Sequence, residues 1–246
     1  MKDRTFNIGM ILILVGFGAS AVHFGLIDPS LASDSNIQGT SESTSDAVAQ
    51  SSVNSNSGED SWEQKVINKT PTNATLAGGC FWCIEGAYMG VKGVEAAISG
   101  YAGGRSSTAT YDQVTTGETD HREAVRVRYY PSVISYDEIL DIFWKSIDPT
   151  DPGGQFSDRG PQYTTAIYPH TEQQYRLATE LKENLSRSGK FDEPIVTEIE
   201  NHTTFFRAED YHQNYSKKNT AQYKAYERAS GRKGFIEKAW EDSPLG

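Results

Sequence analysis

A polar stretch from residue 28 to about residue 70 most limits what this chain can fold into. It is rich in Ser, Asn, Asp, Glu and Gln and almost lacks large apolar side chains, so it cannot bury a core. We expect a flexible acidic linker there, with a short helix over 61–67 as its one candidate element. The core must come from residues 71–246, which have the length and the aromatic content for one domain.

The first residues carry the pattern of an export signal. Lys2 and Arg4 precede an apolar stretch over 8–27, which contains the small-x-small sequence Ala19-Ser20-Ala21. The pattern over 1–27 predicts a signal peptide or, if uncleaved, an N-terminal membrane anchor. Either interpretation places the folded part outside the cytoplasm, and the alternative is a buried helix of a soluble domain.

Charge and cysteine content narrow the function classes. A formal net charge of −10 and a pI near 5.0 argue against a nucleic-acid partner, which would require a basic surface. The chain has only two cysteines, Cys80 and Cys83. A disulfide between them would close so small a loop that it would contribute little to stability. Redox chemistry is therefore the better interpretation of the pair.

The hydrophobic pattern of the folded part predicts an α+β protein. Apolar residues alternate with arginines over 123–130, as in a strand with one solvated face, and Ser135 with Glu138 has the capping-box pattern of a helix start. The predicted core elements are strand 75–77, helix 80–92, strand 94–100, strand 123–130, a helix from 135 to 147 and strand 163–168. This order is that of a ferredoxin-like (split βαβ) core in a two-layer sandwich. Further elements should wrap the sheet, namely a helix over 171–188, an edge strand over 195–200 and a C-terminal helix over 211–229.

The cysteine pair lies at a predicted strand-to-helix turn. Gly78-Gly79 precedes Cys80, so the first sulfur is expected beside free backbone N–H groups at a helix start. Such surroundings lower a thiol pKa and create a nucleophile. Cys83 lies one helical turn further on and could trap an oxidised Cys80 as a disulfide. The alternative, two small buried hydrophobic residues, leaves the two glycines without a reason.

Six segments of the folded part together resemble the type A peptide methionine sulfoxide reductases. The resemblance spans residues 75–215 and is specific because the segments occur together and in order. The segments are Gly79-Cys80-Phe81-Trp82-Cys83-Ile84-Glu85, Gly100-Tyr101-Ala102-Gly103-Gly104, 111–117, His121-Arg122-Glu123, Asp158-Arg159-Gly160-Pro161-Gln162-Tyr163 and Ala208-Glu209-Asp210-Tyr211-His212-Gln213.

The resemblance implies the polar groups of a site that reduces a sulfoxide. Cys80 would be the nucleophile at sulfur, and Glu123 the general acid that protonates the oxygen. Tyr111 and Tyr163 would help to bind that oxygen, and Asp158 would support the site through water or by orienting its neighbours. Without the resemblance, Glu123 would be a solvent-facing strand residue, the tyrosines packing residues and Asp158 part of a turn.

The same resemblance assigns an aromatic pocket and a supporting motif. Phe81 and Trp82 would receive the S-methyl group of the substrate, since a flat apolar wall suits a methyl group and a sulfur. Their alternative role is core packing on the first turn of a helix, and the two roles are compatible. Glu209, Asp210 and His212 would be structural, holding the loops around the site by hydrogen bonds.

The implied activity is the reduction of methionine-S-sulfoxide in proteins and peptides, with free methionine sulfoxide as a further candidate substrate. Cys80 becomes a sulfenic acid, and Cys83 then forms a disulfide with it. No cofactor or metal is implied; an external dithiol, thioredoxin or a thioredoxin-like protein, would reset the monomeric enzyme. The chain departs from the family pattern in having no C-terminal cysteine, and in Thr164-Thr165 where arginine and serine are usual.

Two other function classes compete with this interpretation. Cys80-x-x-Cys83 at a helix start also suits a general thiol-disulfide oxidoreductase, although that chemistry has no need of Glu123 or of the tyrosines. A metal-binding module would need four ligands. One cysteine pair with scattered histidines does not supply a second ligand pair; these histidines are His121, His170, His202 and His212.

Overall fold

The computed structural model describes residues 69–241. The signal peptide or anchor predicted over 1–27, the short helix predicted over 61–67 and all but the last two residues of the predicted linker lie outside the described residues. None of the helices between residues 69 and 241 is both long and apolar enough to cross a membrane.

Short strands alternate with helices along the described region. The strands are β1 (Thr72–Gly78), β2 (Val94–Ala102), β3 (Arg122–Tyr129), β4 (Gly154–Gln155), β5 (Asp158–Arg159), β6 (Thr165–Tyr168), β7 (Glu198–Ile199) and β8 (Phe205–Arg207). The helices are α1 (Phe81–Tyr88), α2 (Tyr111–Val114), α3 (Tyr136–Trp144), α4 (Glu172–Arg187), α5 (Tyr215–Lys218), α6 (Thr220–Ala229) and α7 (Arg232–Trp240). Short 3₁₀ turns lie at Ser106–Thr108, Pro161–Tyr163 and Asp210–His212.

One mixed sheet organises the described residues, with the strand order β7-β6-β1-β3-β2-β8. β6 and β7 are parallel, and the other neighbouring strands are antiparallel. The predicted α+β class is confirmed. The register of β2 against β3 places Tyr101 opposite Glu123. Glu123 therefore shares a sheet face with Val125 and Val127, two positions apart each time.

The main core lies between that sheet face and helices α1 and α3. Ile84 of α1 and Phe143 of α3 belong to the same fully buried cluster as Leu76 and Val125 of the sheet. The opposite sheet face carries a second, smaller cluster built mostly of alanines. Because α1 packs directly on β1, β2 and β3, its first turn is held against the end of β3 that carries Glu123.

The helix starts follow the sequence prediction because their caps are local. The Ser135 hydroxyl accepts from the backbone N–H of Glu138, and the Glu138 carboxylate accepts from the Ser135 N–H, which completes the capping box of α3. Thr171 caps α4 in the same way through the N–H of Gln174, at 3.1 Å.

The helix ends differ from the prediction. α1 ends at Tyr88, since the chain turns through Gly90 and Gly93, both with positive φ. α3 ends at Trp144, before the predicted end at Ile147. Ile147 is nevertheless fully buried, so its apolar character reflects the core and not a continuing helix.

The prediction of one helix over 211–229 is wrong. Asn214 has a left-handed backbone with φ of 55°, and Asn219 has a non-helical backbone with φ −126° and ψ 47°. The chain therefore forms α5 and α6 in place of a single helix. Strand β8 and helix α7 were not predicted. Helix α7 follows Gly231 and contains Gly234, both poor helix formers, and is held by contacts of Arg232 described below.

Candidate active site

Most of the predicted site residues converge on one cavity. Its volume is about 190 Å³. The residues that line it are Cys80, Phe81, Trp82, Tyr111, Glu123, Asp158, Tyr163 and Tyr226. Cys83 is not among them, and Tyr226 was not predicted. The lining comes from β3, β5, α1, α2, α6 and the 3₁₀ turn before β6, so it brings together elements that are far apart in the sequence.

Cys80 lies where β1 turns into α1, as the sequence predicts. It is the N-cap residue of α1, and its carbonyl accepts from the backbone N–H of Cys83 at 3.1 Å. Gly79 has φ of +82°. A Cβ atom there would lie 2.5 Å from Cβ of Gln155 and 2.9 Å from Nη2 of Arg232. This turn therefore requires glycine.

The two thiols are buried, and their pKa values shift in opposite directions. Cys80 is 6% exposed and Cys83 5%. Burial, together with the hydrogen bond to Cys83, raises the pKa of Cys80 well above its usual value. The same hydrogen bond lowers the pKa of Cys83, and the positive charge of Arg232 lowers it further. The predicted lowering of the Cys80 pKa is wrong in this structure because desolvation outweighs the field of one helix start.

Glu123 is a buried acid attached to the helix that carries the thiols. Its side chain is buried on β3, with 2% of the residue exposed, and its Oε2 accepts a 3.0 Å hydrogen bond from the backbone N–H of Phe81. Burial raises the pKa of the carboxyl well above its usual range, and nearby Cys80 adds to this. The site thus favours the protonated acid. The alternative of a solvent-facing strand residue is wrong.

Tyr111 and Tyr163 face the same cavity from two turns. Tyr111 is the first residue of α2, and Tyr163 is the last of the 3₁₀ turn Pro161–Tyr163. Burial raises the pKa of Tyr111 to about 12 and also raises the pKa of Tyr163. Both phenols therefore keep their protons and can donate hydrogen bonds.

Asp158 is held by a tyrosine that the sequence analysis missed. The hydroxyl of Tyr226 on α6 donates to Oδ2 of Asp158 on β5. Burial raises the pKa of Asp158, and the hydrogen bond from Tyr226 opposes that rise. Asp158 is thus oriented at the cavity wall by a direct partner.

Phe81 and Trp82 form an aromatic wall, and both also pack. Phe81 is 1% exposed, and its ring lies 4.8 Å from that of His212. The Trp82 ring stacks on Tyr215 with 3.7 Å between centroids and 7° between planes. Phe81 and Trp82 therefore line the cavity, as predicted, and also pack in the core, which was the alternative role.

The predicted supporting residues Glu209, Asp210 and His212 differ in how they relate to the cavity. Glu209 accepts from the backbone N–H of Tyr111 at 3.0 Å and from the Tyr101 hydroxyl at 2.8 Å. The His212 ring lies 4.4 Å from the Tyr111 ring. Asp210 pairs instead with Arg207 at the surface. Glu209 thus holds Tyr111 by a hydrogen bond. His212 contacts Tyr111 through its ring alone, because its ring nitrogens have no hydrogen-bond partner among the described residues. Asp210 does not contact the site.

The sequence did not predict the contacts that attach the C-terminal helices to the site. Buried Glu85 on α1 accepts from the backbone N–H groups of Asn214 at 2.9 Å and Tyr215 at 3.1 Å, and so caps α5. Tyr223 and Tyr226 lie three positions apart, which is one face of a helix. That spacing was the available signal that the predicted C-terminal helix presents aromatic residues to a neighbour.

The departure at Thr164 from the family pattern has a structural counterpart. Its hydroxyl accepts from Nε of Arg122 at 2.7 Å and donates to the carbonyl of Pro161 at 2.8 Å. Arg122 also pairs with Glu198 and Glu200. Thr164 therefore anchors the turn that ends in Tyr163 to the strand that carries Glu123.

No group of three or more His, Cys, Asp or Glu side chains within residues 69–241 is arranged to hold a metal ion. Cys80 and Glu123 are the thiol and the buried acid among the residues that line the cavity.

Comparisons with known proteins agree on one family. The peptide methionine sulfoxide reductase family model matches residues 72–244. A peptide methionine sulfoxide reductase of Bacillus pumilus (strain SAFR-032) is 48% identical over 169 residues, which cover 69% of this chain and 95% of that protein. One from Staphylococcus aureus (strain MW2) is 47% identical over 171 residues, which cover 70% of this chain and 97% of that protein. The reduced crystal structure of Mxr1 from Saccharomyces cerevisiae has a TM-score of 0.57 at 32% identity and covers 61% of this chain and 87% of that one.

Proposed function

Because the chain belongs to the peptide methionine sulfoxide reductase family, we propose that it reduces methionine-S-sulfoxide in oxidised proteins and peptides with Cys80 as nucleophile. It is a thiol-dependent oxidoreductase that repairs oxidative damage. One observation carries the assignment of residues. A thiol, a carboxyl with a raised pKa and two protonated phenols line one cavity together with an aromatic wall.

The reductive step ends with methionine and a sulfenic acid on Cys80. The sulfoxide oxygen accepts hydrogen bonds from Tyr111 and Tyr163 and takes a proton from Glu123 as the Cys80 sulfur attacks the substrate sulfur, while the thiol proton passes through Glu123 to the same oxygen. An S–S bond forms, and the S–O bond breaks as that oxygen leaves as water. Water then attacks the Cys80 sulfur, the S–S bond breaks to release methionine, and the proton that this water loses returns to the Glu123 carboxylate. The net change is one thiol and one sulfoxide to one sulfenic acid and one thioether. The raised pKa of Glu123 suits this exchange, since its carboxyl begins protonated. Cys80, whose pKa is also raised, must lose its proton as it attacks.

The resolving step removes the oxygen as water. The Cys83 thiolate attacks the sulfur of the Cys80 sulfenic acid, an S–S bond forms, the S–O bond breaks, and the departing hydroxide takes up a proton. Cys83 is suited to this role because it lies one helical turn from Cys80 and has the lower pKa of the two. The described part of the chain offers no other thiol.

An external dithiol must then reduce the disulfide. We infer that thioredoxin or a thioredoxin-like protein does so, because thiol–disulfide exchange needs a second thiol pair. A donor outside the cytoplasm is required if the N-terminal segment directs export. The enzyme is proposed to act as a monomer on oxidised proteins and peptides, with free methionine sulfoxide as a further substrate.

We also propose that the sheet and its helices have a ferredoxin-like core. The order β6-β1-β3-β2 within the sheet, with antiparallel neighbours, supports it, as does the packing of α1 and α3 on the sheet. Strands β7 and β8 would then be additions at the two edges.

The N-terminal region is proposed to place the enzyme outside the cytoplasm. The basic residues before the apolar stretch over 8–27 and the small residues at Ala19-Ser20-Ala21 support a signal peptide or an anchor, and the acidic composition of 28–70 supports a spacer. Cell fractionation with mass spectrometry of the mature N-terminus separates the outcomes. Cleavage near residue 21 supports the signal peptide, and an intact N-terminus in membranes supports the anchor. An intact cytoplasmic protein contradicts both.

One assay tests the function and its rival. Purified protein is incubated with separate S- and R-sulfoxide peptides and a small dithiol, beside an insulin disulfide reduction assay. We expect turnover of the S-sulfoxide, little with the R-sulfoxide, and none with Cys80→Ser. Insulin reduction without sulfoxide reduction would instead establish a general thiol-disulfide oxidoreductase.

A further inference from the structure

Arg232 is a buried cation next to the thiol pair. It is the first residue of α7 and only 4% exposed. Among the described residues, no ion pair includes it. Burying an arginine without a carboxylate at ion-pair distance costs stability. Arg232 is distant in sequence from the cysteines, and a role at the thiol pair would explain why an arginine is buried there.

The guanidinium is fixed under the turn that leads into α1. Nη2 donates to the carbonyl of Gly78 at 3.1 Å, and Nη1 donates to the carbonyl of Ser146. The guanidinium carbon lies 4.7 Å from the centre of the Phe156 ring. The place of a Cβ on Gly79 would be 2.9 Å from Nη2. Arg232 thus lies directly against the residue that precedes Cys80.

The groups around Cys83 are otherwise acidic or neutral. The groups that interact electrostatically with Cys83 come from the start of α1 and from β5, α6 and α7. They are Cys80, Asp158, Tyr223, Tyr226, Glu227 and Arg232. Arg232 is the only cation in that set, and its charge favours ionised Cys83, whereas Asp158 and Glu227 oppose ionisation. Without Arg232, the charged side chains that act on Cys83 would be those of Asp158 and Glu227, which both raise its pKa.

We propose that Arg232 is a positioning residue of the thiol pair, which holds the Gly78-Gly79 turn before Cys80 and places a buried positive charge beside the pair, where it favours the Cys83 thiolate that the resolving step needs. This inference rests on the proposed function, because the resolving step exists only if Cys80 becomes a sulfenic acid. In that step, a Cys83 thiolate forms the S–S bond while the S–O bond breaks and water leaves. A neutral Cys83 thiol is a poor nucleophile.

The first experiment measures the ionisation of Cys83 directly. In a Cys80→Ser background Cys83 is the only thiol, and its alkylation rate by iodoacetamide is followed against pH by mass spectrometry. Adding Arg232→Gln or Arg232→Met should move the midpoint up by about one pH unit, as expected for the loss of a nearby opposite charge. Two neutral variants are used since Gln keeps an amide donor for the Gly78 carbonyl and Met keeps the apolar stem. Arg232→Lys should move the midpoint back towards that of the arginine form.

The second experiment separates the two steps in the otherwise intact enzyme. In a single turnover at pH 7, Arg232→Gln should release methionine at close to the normal rate but form the disulfide about tenfold more slowly, following the smaller thiolate fraction. Lys233→Gln is the matched control. It removes a positive charge one position away on a side chain that is 61% exposed, and both rates should stay unchanged.

A purely structural role for Arg232 predicts something else. The melting temperature would fall in the folded neutral variants while the midpoint of Cys83 alkylation stayed in place, and that result would overturn the proposal. Equal slowing of both steps would do the same. Failure of the proposed function is distinguishable, because the enzyme with Arg232 in place would then release no methionine while the alkylation midpoints could still differ.

Discussion

The backbone N–H of Phe81 donates a 3.0 Å hydrogen bond to the carboxyl of Glu123, 42 positions further along the chain. Phe81 follows Cys80 directly and begins helix α1. This one bond therefore joins the proposed acid to the helix that presents the proposed nucleophile. It also gives the buried carboxyl a partner, so that the acid has a fixed orientation relative to the cavity.

Cys83→Ser should separate the two half-reactions. Cys80 can still take the oxygen, so one equivalent of methionine should form per enzyme, and a small dithiol should support turnover by attacking the sulfenic acid. Turnover with a thioredoxin-like donor should be lost, because no disulfide forms. Methionine release and thiol count report both steps. Unchanged cycling with the protein donor would remove Cys83 from the resolving role.

Glu123→Gln should slow the reductive step by about 100-fold or more, as for the loss of a general acid. In the parent enzyme the step should slow as pH rises through the raised pKa of Glu123, because only the protonated carboxyl donates. The variant should lose that alkaline limb. Single-turnover rates across pH provide the measurement, and a normal rate in the variant contradicts the assignment.

The same substitution should stabilise the protein at neutral pH. Burial raises the folded-state pKa of Glu123 above the ordinary 4.5, so the folded state binds the proton more tightly than the unfolded state does. This contribution is fully present below about pH 4.5 and is lost as pH rises through the folded pKa. Glu123→Gln removes this pH-dependent loss of stability, because glutamine does not ionise. Urea unfolding should show a stability advantage for the variant that grows from acidic to neutral pH, and a constant difference would be inconsistent with a raised pKa.

Tyr226→Phe should impair the site through Asp158. The variant keeps the ring but removes the donor to the Asp158 carboxylate, which should raise the pKa of Asp158 further. We expect kcat/KM for the S-sulfoxide peptide to fall by about tenfold, roughly the value of one hydrogen bond to a charged group. Tyr223→Phe is the matched control, since that hydroxyl lies near Glu227 and outside the cavity lining. Equal effects of the two variants would argue for packing alone.

Thr164→Val should loosen the turn that ends in Tyr163. It removes an acceptor for Arg122 and a donor to Pro161, at a cost of about 1 kcal/mol in unfolding free energy, and KM should rise more than kcat falls. Thr179→Val is the control, because its hydroxyl bonds only to the carbonyl of Tyr175 within an exposed turn of α4. Chemical unfolding and steady-state kinetics of both variants decide whether the turn matters to substrate binding.

Features that depend on neighbouring residues were predictable from the sequence. Ser135 and Glu138 cap a helix through atoms three positions apart, and Gly79 adopts the positive φ of a turn that only glycine suits. The alternation over 123–130 likewise predicted strand β3. It did not predict the burial of Glu123, which without the family resemblance was expected to face solvent. For each feature that was predicted, the physical cause lies within one turn or one strand.

Features that depend on distant contacts were not predictable in the same way. Tyr226 meets Asp158 across 68 positions, and helix α7 exists despite Gly231 and Gly234 because Arg232 is held by the carbonyls of Gly78 and Ser146. The pKa of Cys80 is the clearest case. A helix start can be inferred from the sequence, but the degree of burial that reverses its effect comes from the packed cavity.

The stack of Tyr215 on Trp82 and the bond from Tyr226 to Asp158 mean that the pocket is completed by helices that are synthesised after the central strands. A nascent chain that has emerged only through β6 already has the strands β1, β2, β3 and β6. It still lacks one wall of the cavity, and Glu85 has no amide donors from residues 214 and 215. The contacts that α5 and α6 make with the cavity are therefore added after the four central strands have been synthesised, and a chain truncated before α5 would lack them.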